Sequence, residues 1–216
     1  PEVRRNAIAD ATLIASPGCY PTSILLPLIP LLEAGLIDPR QIIADSLSGV
    51  SGAGRNASLP FLYVECNESL RPYGVPKHRH LSEIEQELGL ANGSPVTVQF
   101  TPHLVPVNRG ILTTLYLAPA LGQADDFDQW TTSVADCLAK RYADEPFVRI
   151  TGSERLPDTK NVTGTNSIEI GWAADPRTQR LRVFSAEDNL VKGASGQAVQ
   201  SFNIRFGFAE TAGLPI

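Results

Sequence analysis

The sequence has little positive charge and no long apolar run. Its 18 Lys and Arg residues are outnumbered by 23 Asp and Glu residues, which gives a formal net charge of −5. Because a nucleic-acid-binding face needs an excess of basic residues, we expect no nucleic acid partner. The longest apolar run, residues 24–32, is shorter than a membrane-spanning helix and is interrupted by Pro27 and Pro30, so we expect no membrane segment.

Cysteine is scarce and methionine is missing altogether. The three cysteines, Cys19, Cys66 and Cys137, are odd in number and far apart, which argues against a disulfide framework and suits a reducing compartment. We therefore expect a cytoplasmic protein without a secretory signal. Because the chain begins at Pro1 and contains no Met, we also expect it to be a piece of a longer protein.

Apolar periodicity predicts several strands with helices between some of them. Helices are expected from residue 19 or 20 to about 34, at 80–88, at 125–142 and after residue 193 through 206. Strands are expected at 12–15, 41–46, 96–100, 111–117, 148–150, 168–172 and 181–184. This order predicts an α+β fold, in which a mixed or antiparallel sheet carries helices on one face. The first strand and the last helix fit that sheet poorly, so we expect them to belong to another domain.

Residues 16–22, with the sequence SPGCYPT, place Cys19 at the junction of a predicted strand and a predicted helix. The free N–H groups and the dipole of a helix N-terminus favour an anion, which lowers the pKa of a thiol and favours the reactive thiolate. Pro21 fits the first turn, where its missing N–H does no harm. The alternative is a buried structural cysteine, the commoner role of an isolated Cys.

Two of the three histidines, His78 and His80, lie at the start of the predicted helix at 80–88. A cysteine nucleophile needs a group that takes its proton and an acid that returns one, and imidazole does both near neutral pH. One alternative is a set of exposed polar residues at a helix start. A second is a His-x-His metal site, but no Cys or further His pair lies nearby in sequence, so we expect no metal.

Three further segments contain residue types that bind anions. Arg109 has the planar fork that clamps a carboxylate or phosphate, although a surface Arg in a strand connection is the alternative. The loop at 48–55 and the turn at 193–196 are rich in small residues, which let backbone N–H groups approach an anion. The loop matches neither a Walker A nor a dinucleotide fingerprint, and both segments have the alternative of ordinary connections.

Together these segments resemble the N-acetyl-γ-glutamyl-phosphate reductase family, which is similar to aspartate-semialdehyde dehydrogenase. The resemblance rests on IASPGCYPT at 14–22, SGVSGAGR at 48–55, HRHLSEI at 78–84, PHL at 102–104 with Arg109-Gly110, and DNLVKGASGQA at 188–198. These motifs occur in the family's order and span nearly the whole chain. The resemblance implies a homo-oligomeric oxidoreductase of arginine biosynthesis, dimer or tetramer, that uses NADPH to reduce N-acetyl-γ-glutamyl phosphate to the semialdehyde.

The resemblance also implies roles for individual residues. Cys19 would form a thioester with the acyl group, and His80, or failing that His78, would transfer protons. The substrate-binding residues it implies are Arg109, Ser51 and Tyr73. Residues of the loop and turns would lie along the NADP cofactor: Gly18, Gly49, Gly52, Asn189, Gly193 and Ser195.

The family plan implies two domains. Residues 1–18 would be a remnant of an N-terminal Rossmann-type NADP-binding domain, residues 19–187 the catalytic and dimerisation domain, and residues 188–216 a helix that returns to the cofactor domain. The glycine-rich fingerprint of the cofactor domain is not in the sequence. We therefore expect the chain as given to bind NADP poorly and to reduce little.

Three other functions compete with this interpretation. The chain could belong to a related reductase that acts on an acyl phosphate of lysine synthesis or on aspartyl phosphate. It could be a non-catalytic dimerisation module. It could also be a hydrolase that uses Cys19 and His80, which would cleave esters without any nicotinamide.

Overall fold

A computed structural model describes residues 1–123 and 125–216. Its α-helices are α1 (Arg5–Asp10), α2 (Cys19–Glu33), α3 (Tyr63–Cys66), α4 (Leu81–Asn92), α5 (Phe127–Arg141) and α6 (Gly196–Phe206). Its strands are β1 (Ile42–Ser48), β2 (Arg71–Pro72), β3 (Val98–Leu104), β4 (Ile111–Leu117), β5 (Val148–Gly152), β6 (Ile168–Asp175) and β7 (Arg180–Glu187). A π-helical turn, Val191–Ser195, leads directly into α6.

These strands form one mixed sheet in the order β2-β3-β1-β4-β7-β6-β5. β3 runs parallel to β1 and β5 runs parallel to β6, whereas the other neighbouring pairs are antiparallel. Ile111 pairs with Ser48 on one side and with Glu187 on the other. One end of the central strands therefore brings together the end of β1, the start of β4 and the end of β7.

Helix α2 lies at the centre of the core, and residues 20–32 of it are all buried. Its interior prolines, Pro27 and Pro30, have no N–H to donate to the carbonyls of Ser23 and Leu26, four residues earlier. Side chains of neighbouring elements bond these carbonyls instead. The Ser185 hydroxyl donates to the Ser23 carbonyl at 2.6 Å, and the Tyr142 hydroxyl donates to the Leu26 carbonyl. Both prolines are therefore tolerated, because no buried carbonyl is left without a donor.

Helices α2, α4 and α5 cover one face of the sheet, and the core lies between them and the strands. The opposite face is more open. Ile43 and Tyr116 are cross-strand partners on that face, with 38% and 37% of their surface exposed. Alternate residues of β1 and β4 thus face the helices and the open side, as expected of a sheet covered on one side.

The predicted fold class is confirmed: the sheet is mixed and its helices pack on one face. The predicted strand at 12–15 is wrong, since these residues pair with no strand in the described part of the chain and Leu13 is 90% exposed. A short apolar run does not show whether a partner strand exists. That the two ends of the chain belong to a Rossmann-type domain stays a prediction. Among the described residues, no helix has both the length and the apolar character required to cross a membrane.

Candidate active site

Cys19 is the first residue of α2, and Gly18 is the N-cap. Pro21 has no N–H, and the Thr22 N–H already donates to the Gly18 carbonyl at 3.0 Å. The first-turn N–H groups left to face an anion are those of Cys19 and Tyr20, and both favour the thiolate form of Cys19. The local sequence thus places two donors at the one thiol of this helix start.

Burial, and after it the charge of Glu187, raises the pKa of the Cys19 thiol to about 11, against the opposing effect of these two N–H groups. The expectation that the helix start lowers this pKa is therefore wrong, because desolvation of the thiolate outweighs the dipole. Cys19 is a thiol at neutral pH and needs a base before it can attack an electrophile.

His80 lies directly against Gly18. Its Nε2 atom is 2.6 Å from the point where a Cβ on Gly18 would lie. His80 is the N-cap of α4, and Glu83 in the first turn of that helix accepts a hydrogen bond from the Gly18 N–H at 3.1 Å. Burial, together with the neighbouring His78 and Arg79, lowers the pKa of His80 to about 4. The ring beside the helix start at Cys19 is therefore neutral and able to accept a proton.

Aromatic side chains surround this imidazole. The His78 and His80 rings are 5.0 Å apart between centroids, and the Nδ1 atom of His78 accepts the backbone N–H of His80 at 3.1 Å. Tyr20 packs edge-on against both rings, and its hydroxyl bonds the Tyr73 hydroxyl at 2.7 Å. The structure thus brings His78, His80 and Tyr73 together near Cys19. His78 uses one ring nitrogen to accept a backbone N–H, whereas the His80 ring is the one that lies against Gly18.

Gly193, in the π-helical turn, packs directly against Cys19. A Cβ on Gly193 would lie 2.7 Å from the Cys19 Cβ and 2.9 Å from Glu187 Oε1. Both distances are too short for any side chain, so only glycine fits between these two residues. Lys192 anchors this turn, because its ammonium donates hydrogen bonds to the Glu2 carboxylate and to the Gln200 side chain in a fully buried network.

Asn189 cross-links two of the predicted segments. Its side-chain oxygen accepts the Gly110 N–H at 2.7 Å, and its amide nitrogen donates to the Ser51 hydroxyl at 3.0 Å. Ser51 in turn donates to the Asn108 carbonyl at 2.6 Å. Asn189 therefore holds the glycine-rich loop against the connection that carries Arg109.

Arg109 is partly committed to the protein. Its guanidinium pairs with the Asp188 carboxylate at 3.0 Å, and a third of its side chain is exposed. Asp188 also accepts the N–H groups of Gly164, Leu190 and Val191. Arg109 is held in a fixed direction by this fully buried carboxylate, and its exposed part is free to meet an anion.

Three predicted cofactor positions have local structural roles. Gly49 lies so close to the neighbouring connection that a Cβ would be 2.6 Å from the Asn108 carbonyl oxygen. A Cβ on Gly52 would lie 3.2 Å from the Ser48 hydroxyl oxygen. Ser195 donates its hydroxyl to the Leu190 carbonyl at 2.8 Å, which closes the π-helical turn. Their roles toward a cofactor stay predictions, as does that of Gly18.

Two carboxyl groups beside Cys19 were missed at the sequence level. Glu83 accepts the Gly18 N–H, and a carboxyl oxygen of Glu187 lies with Cys19 beside Gly193. Glu187 had a detectable signal: Leu181, Val183 and Ser185 alternate inward along β7, and the same period of two carries Glu187 into the interior. Glu83 had none, because its contact depends on how α4 packs against α2.

Comparison with known proteins identifies the class. Residues 19–189 match the family described as semialdehyde dehydrogenase, dimerisation domain, and the chain belongs to that family. The fold agrees: a crystal structure of aspartate semialdehyde dehydrogenase II from Vibrio cholerae superposes with a TM-score of 0.70 at 18% identity, covering 96% of this chain and 67% of that one.

Relatives of known name are closer in sequence. A protein of Akkermansia muciniphila named N-acetyl-gamma-glutamyl-phosphate reductase is 60% identical over 99% of this chain, and one of the same name from Geobacter metallireducens is 55% identical over 99%. The chain spans 60% of the length of each of these relatives. The expected family resemblance is thereby confirmed.

Proposed function

We propose that this chain carries the nucleophile and the proton-transfer group of an N-acetyl-γ-glutamyl-phosphate reductase of arginine biosynthesis. The observation that carries the proposal is the placement of a neutral imidazole, His80, against Gly18, immediately before a thiol at a helix N-terminus. The shared name of relatives that are 55% and 60% identical supports the choice of substrate.

In the proposed mechanism His80 takes the Cys19 proton as the sulfur attacks the γ-acyl carbon, and phosphate leaves with its bonding electron pair. A thioester on Cys19 remains. Because the thiol has a pKa of about 11 and the imidazole one of about 4, a resting thiolate–imidazolium pair is disfavoured. Proton transfer therefore accompanies attack rather than preceding it. The N–H groups of Cys19 and Tyr20 are suited to stabilise the oxyanion of the tetrahedral intermediate.

We assign the remaining predicted residues to the substrate side. Arg109, with its exposed guanidinium surface fixed by Asp188, would pair with a carboxylate or phosphate of the substrate. Ser51, which is bonded to Asn189, and Tyr73, which is bonded to Tyr20, would also contact the substrate. The described residues contain no GxGxxG fingerprint of the kind that holds dinucleotide phosphates. When bound to the whole protein, NADPH would supply the hydride that reduces the thioester.

The domain division is part of the same proposal. Residues 1–18 and 188–216 would belong with a cofactor-binding domain, and residues 19–187 would form the catalytic domain. Helices α1 and α6 pack against each other, and Arg5 pairs with Glu210, which supports treating the two ends as one unit. The three free thiols suit a cytoplasmic location.

The experiment that tests the function is trapping of the acyl-enzyme. The intact protein is mixed with N-acetyl-γ-glutamyl phosphate without NADPH, and peptide masses are measured. We expect the acyl group on Cys19, none on Cys66 or Cys137, and none in C19A. Addition of NADPH should then release the semialdehyde.

Competing functions give different results in the same assay. Aspartyl phosphate, or the acyl phosphate of lysine synthesis, would acylate Cys19 faster if a related reductase is the right assignment. Ester hydrolysis without nicotinamide, lost in C19A, would favour a hydrolase. A protein that takes up no acyl group from any of these, and is silent in calorimetry with NADP, would be a dimerisation module.

We also propose that the protein is a homo-oligomer that pairs through the open face of the sheet. The partly exposed Ile43, Leu47 and Tyr116 lie on that face, and the family description names dimerisation. Sedimentation velocity should show a dimer or tetramer, and Tyr116→Asp should shift it toward monomer, whereas Leu90→Asp on exposed helix surface should not.

A further inference from the structure

Glu187 is a fully buried carboxyl group that has no protein hydrogen-bond partner. It ends β7, its exposed fraction is 0%, and neither of its oxygens has a partner among the described residues. Buried carboxylates are normally paired or hydrogen-bonded, because an unpaired buried charge is strongly disfavoured. The geometry therefore singles out Glu187 from the other acidic residues around it.

Those other groups are all paired. The Lys192 ammonium bonds the Glu2 carboxylate and the Gln200 side chain, and Asp188 pairs with Arg109. The charge of Lys192 also acts on Glu187, but Lys192 has Glu2 as its ion-pair partner. An ionised Glu187 would therefore have no ion-pair partner of its own among the described residues.

Glu187 and Cys19 lie next to the same point beside Gly193. The Cys19 Cβ and Glu187 Oε1 are both within 3 Å of the point where a Gly193 Cβ would lie, 2.7 and 2.9 Å away. A negative charge on Glu187 would therefore act through the low-dielectric interior on any negative charge on the Cys19 sulfur. The titratable and charged groups that face Glu187 are Cys19 of α2, Lys192 of the π-helical turn, Asp188 beside it and Glu2 of the N-terminal segment.

We propose that Glu187 is a positioning residue that keeps its proton beside Cys19, and that its ionisation at alkaline pH suppresses the thiolate. The site then carries at most one negative charge, either on the sulfur or on the carboxylate. Burial, reinforced by Asp188 and Glu2 and opposed by Lys192, raises the pKa of Glu187 well above its usual range, in agreement with this geometry. The repulsion that raises the Cys19 pKa is accordingly weak at neutral pH, where Glu187 is neutral, and grows only as both groups lose protons.

This inference rests on the proposed function only in taking Cys19 as the nucleophile. Its test uses E187Q, which is nearly isosteric and always neutral, in the intact protein. E169Q is the matched control, because Glu169 is also buried in a strand but pairs with Arg155. Two quantities are measured: the infrared band of a protonated carboxylic acid, and the rate of Cys19 alkylation by iodoacetamide as a function of pH.

We expect the protonated-acid band at neutral pH in the wild type and in E169Q, and its loss in E187Q. Near neutral pH the alkylation rates should agree within about twofold, because Glu187 is neutral there. At alkaline pH the midpoint for E187Q should lie lower than that of the wild type by about one pH unit, which is a tenfold change in thiolate fraction. A purely structural role for Glu187 would not move the midpoint in this direction. E187A, also neutral, should give the same shift if E187Q folds poorly.

The absence of the band in the wild type, or an E187Q alkylation profile that coincides with that of the wild type, would overturn the proposal. Neither readout needs acyl phosphate or NADPH. An E187Q shift in a protein that fails to form the acyl-enzyme would therefore count against the proposed function and leave this inference standing.

Discussion

The imidazole of His80 touches Gly18 so closely that its Nε2 atom is 2.6 Å from the position of a Cβ on that glycine. Gly18 has φ −71° and ψ 162°, a conformation open to any residue, so the backbone does not require glycine there. Glycine is required there because the His80 ring lies too close for any side chain. The ring and the thiol-bearing helix are thus in contact through a residue that has no side chain.

Gly18→Ala should displace His80 and lower kcat by about 100-fold, the effect of misplacing a catalytic group by roughly 1 Å. The measurement is the steady-state rate of the intact enzyme, with the pH dependence of Cys19 alkylation beside it. Gly89→Ala is the control, because its Cβ would meet nothing closer than 3.6 Å. Equal rates for G18A and the wild type would exclude His80 from proton transfer at Cys19.

The acid limb of kcat/KM should lie near pH 4. Burial first, then His78 and Arg79, lowers the pKa of His80 to about 4, so the ring is neutral above that pH and protonated below it. Activity that depends on a neutral ring is therefore lost only as the pH falls through about 4. In Arg79→Gln one positive neighbour is removed, the protonated ring is less disfavoured, and the limb should move to higher pH. If the acid limb of the wild type lies near the ordinary histidine pKa and does not move in R79Q, a group other than His80 causes that limb.

Lys192→Met should destabilise the protein by about 3–5 kcal/mol, because it leaves the buried Glu2 carboxylate without its cation. The double variant E2Q/K192M removes both charges and should recover most of that loss in urea unfolding. Against the effect of burial, Lys192 lowers the pKa of Glu2 below its usual range. The stabilisation by this pair is therefore present above the unfolded-state pKa of Glu and is lost as the pH falls below it. A K192M protein no less stable than E2Q/K192M would show that the pair contributes nothing.

Tyr142→Phe should cost about 1–3 kcal/mol, because it removes the donor to the Leu26 carbonyl that Pro30 leaves without its helical partner. In a Pro30→Ala background the helix regains an N–H for that carbonyl, so the same substitution should cost clearly less. Chemical unfolding of the four proteins in this cycle measures the coupling. Additive effects would mean that the hydroxyl does not replace the missing N–H.

The helix start at Cys19 was predictable because its determinants are local. Gly18 precedes the helix, and Pro21 fits its first turn. The alternation along β7 likewise pointed inward at Glu187, although it says nothing of what a carboxyl meets there. The pKa of Cys19 was not predictable, because burial depends on elements far away in sequence. Local rules favoured a lowered pKa, and the packing of the whole domain raised it.

The contacts that define the site all cross long stretches of chain. Gly18 meets Glu83 and His80 because α2 packs against α4, and Cys19 meets Gly193 because α2 also packs against the π-helical turn. No periodicity within one segment encodes these pairs. The predicted strand at 12–15 was wrong for the same reason, because a strand forms only where a partner segment supplies its hydrogen bonds.

The two interior prolines of α2 restrict how that helix can move. Rotation about its axis, or a slide by one turn, would withdraw the Ser23 carbonyl from Ser185 and the Leu26 carbonyl from Tyr142, and no backbone N–H stands ready to replace either donor. Ser185 is two residues from Glu187 on β7, so the hydrogen bond from Ser185 to the Ser23 carbonyl joins α2 to the end of β7 near Cys19. Any conformational change around Cys19 must therefore come from the loops, because helix α2 keeps its register.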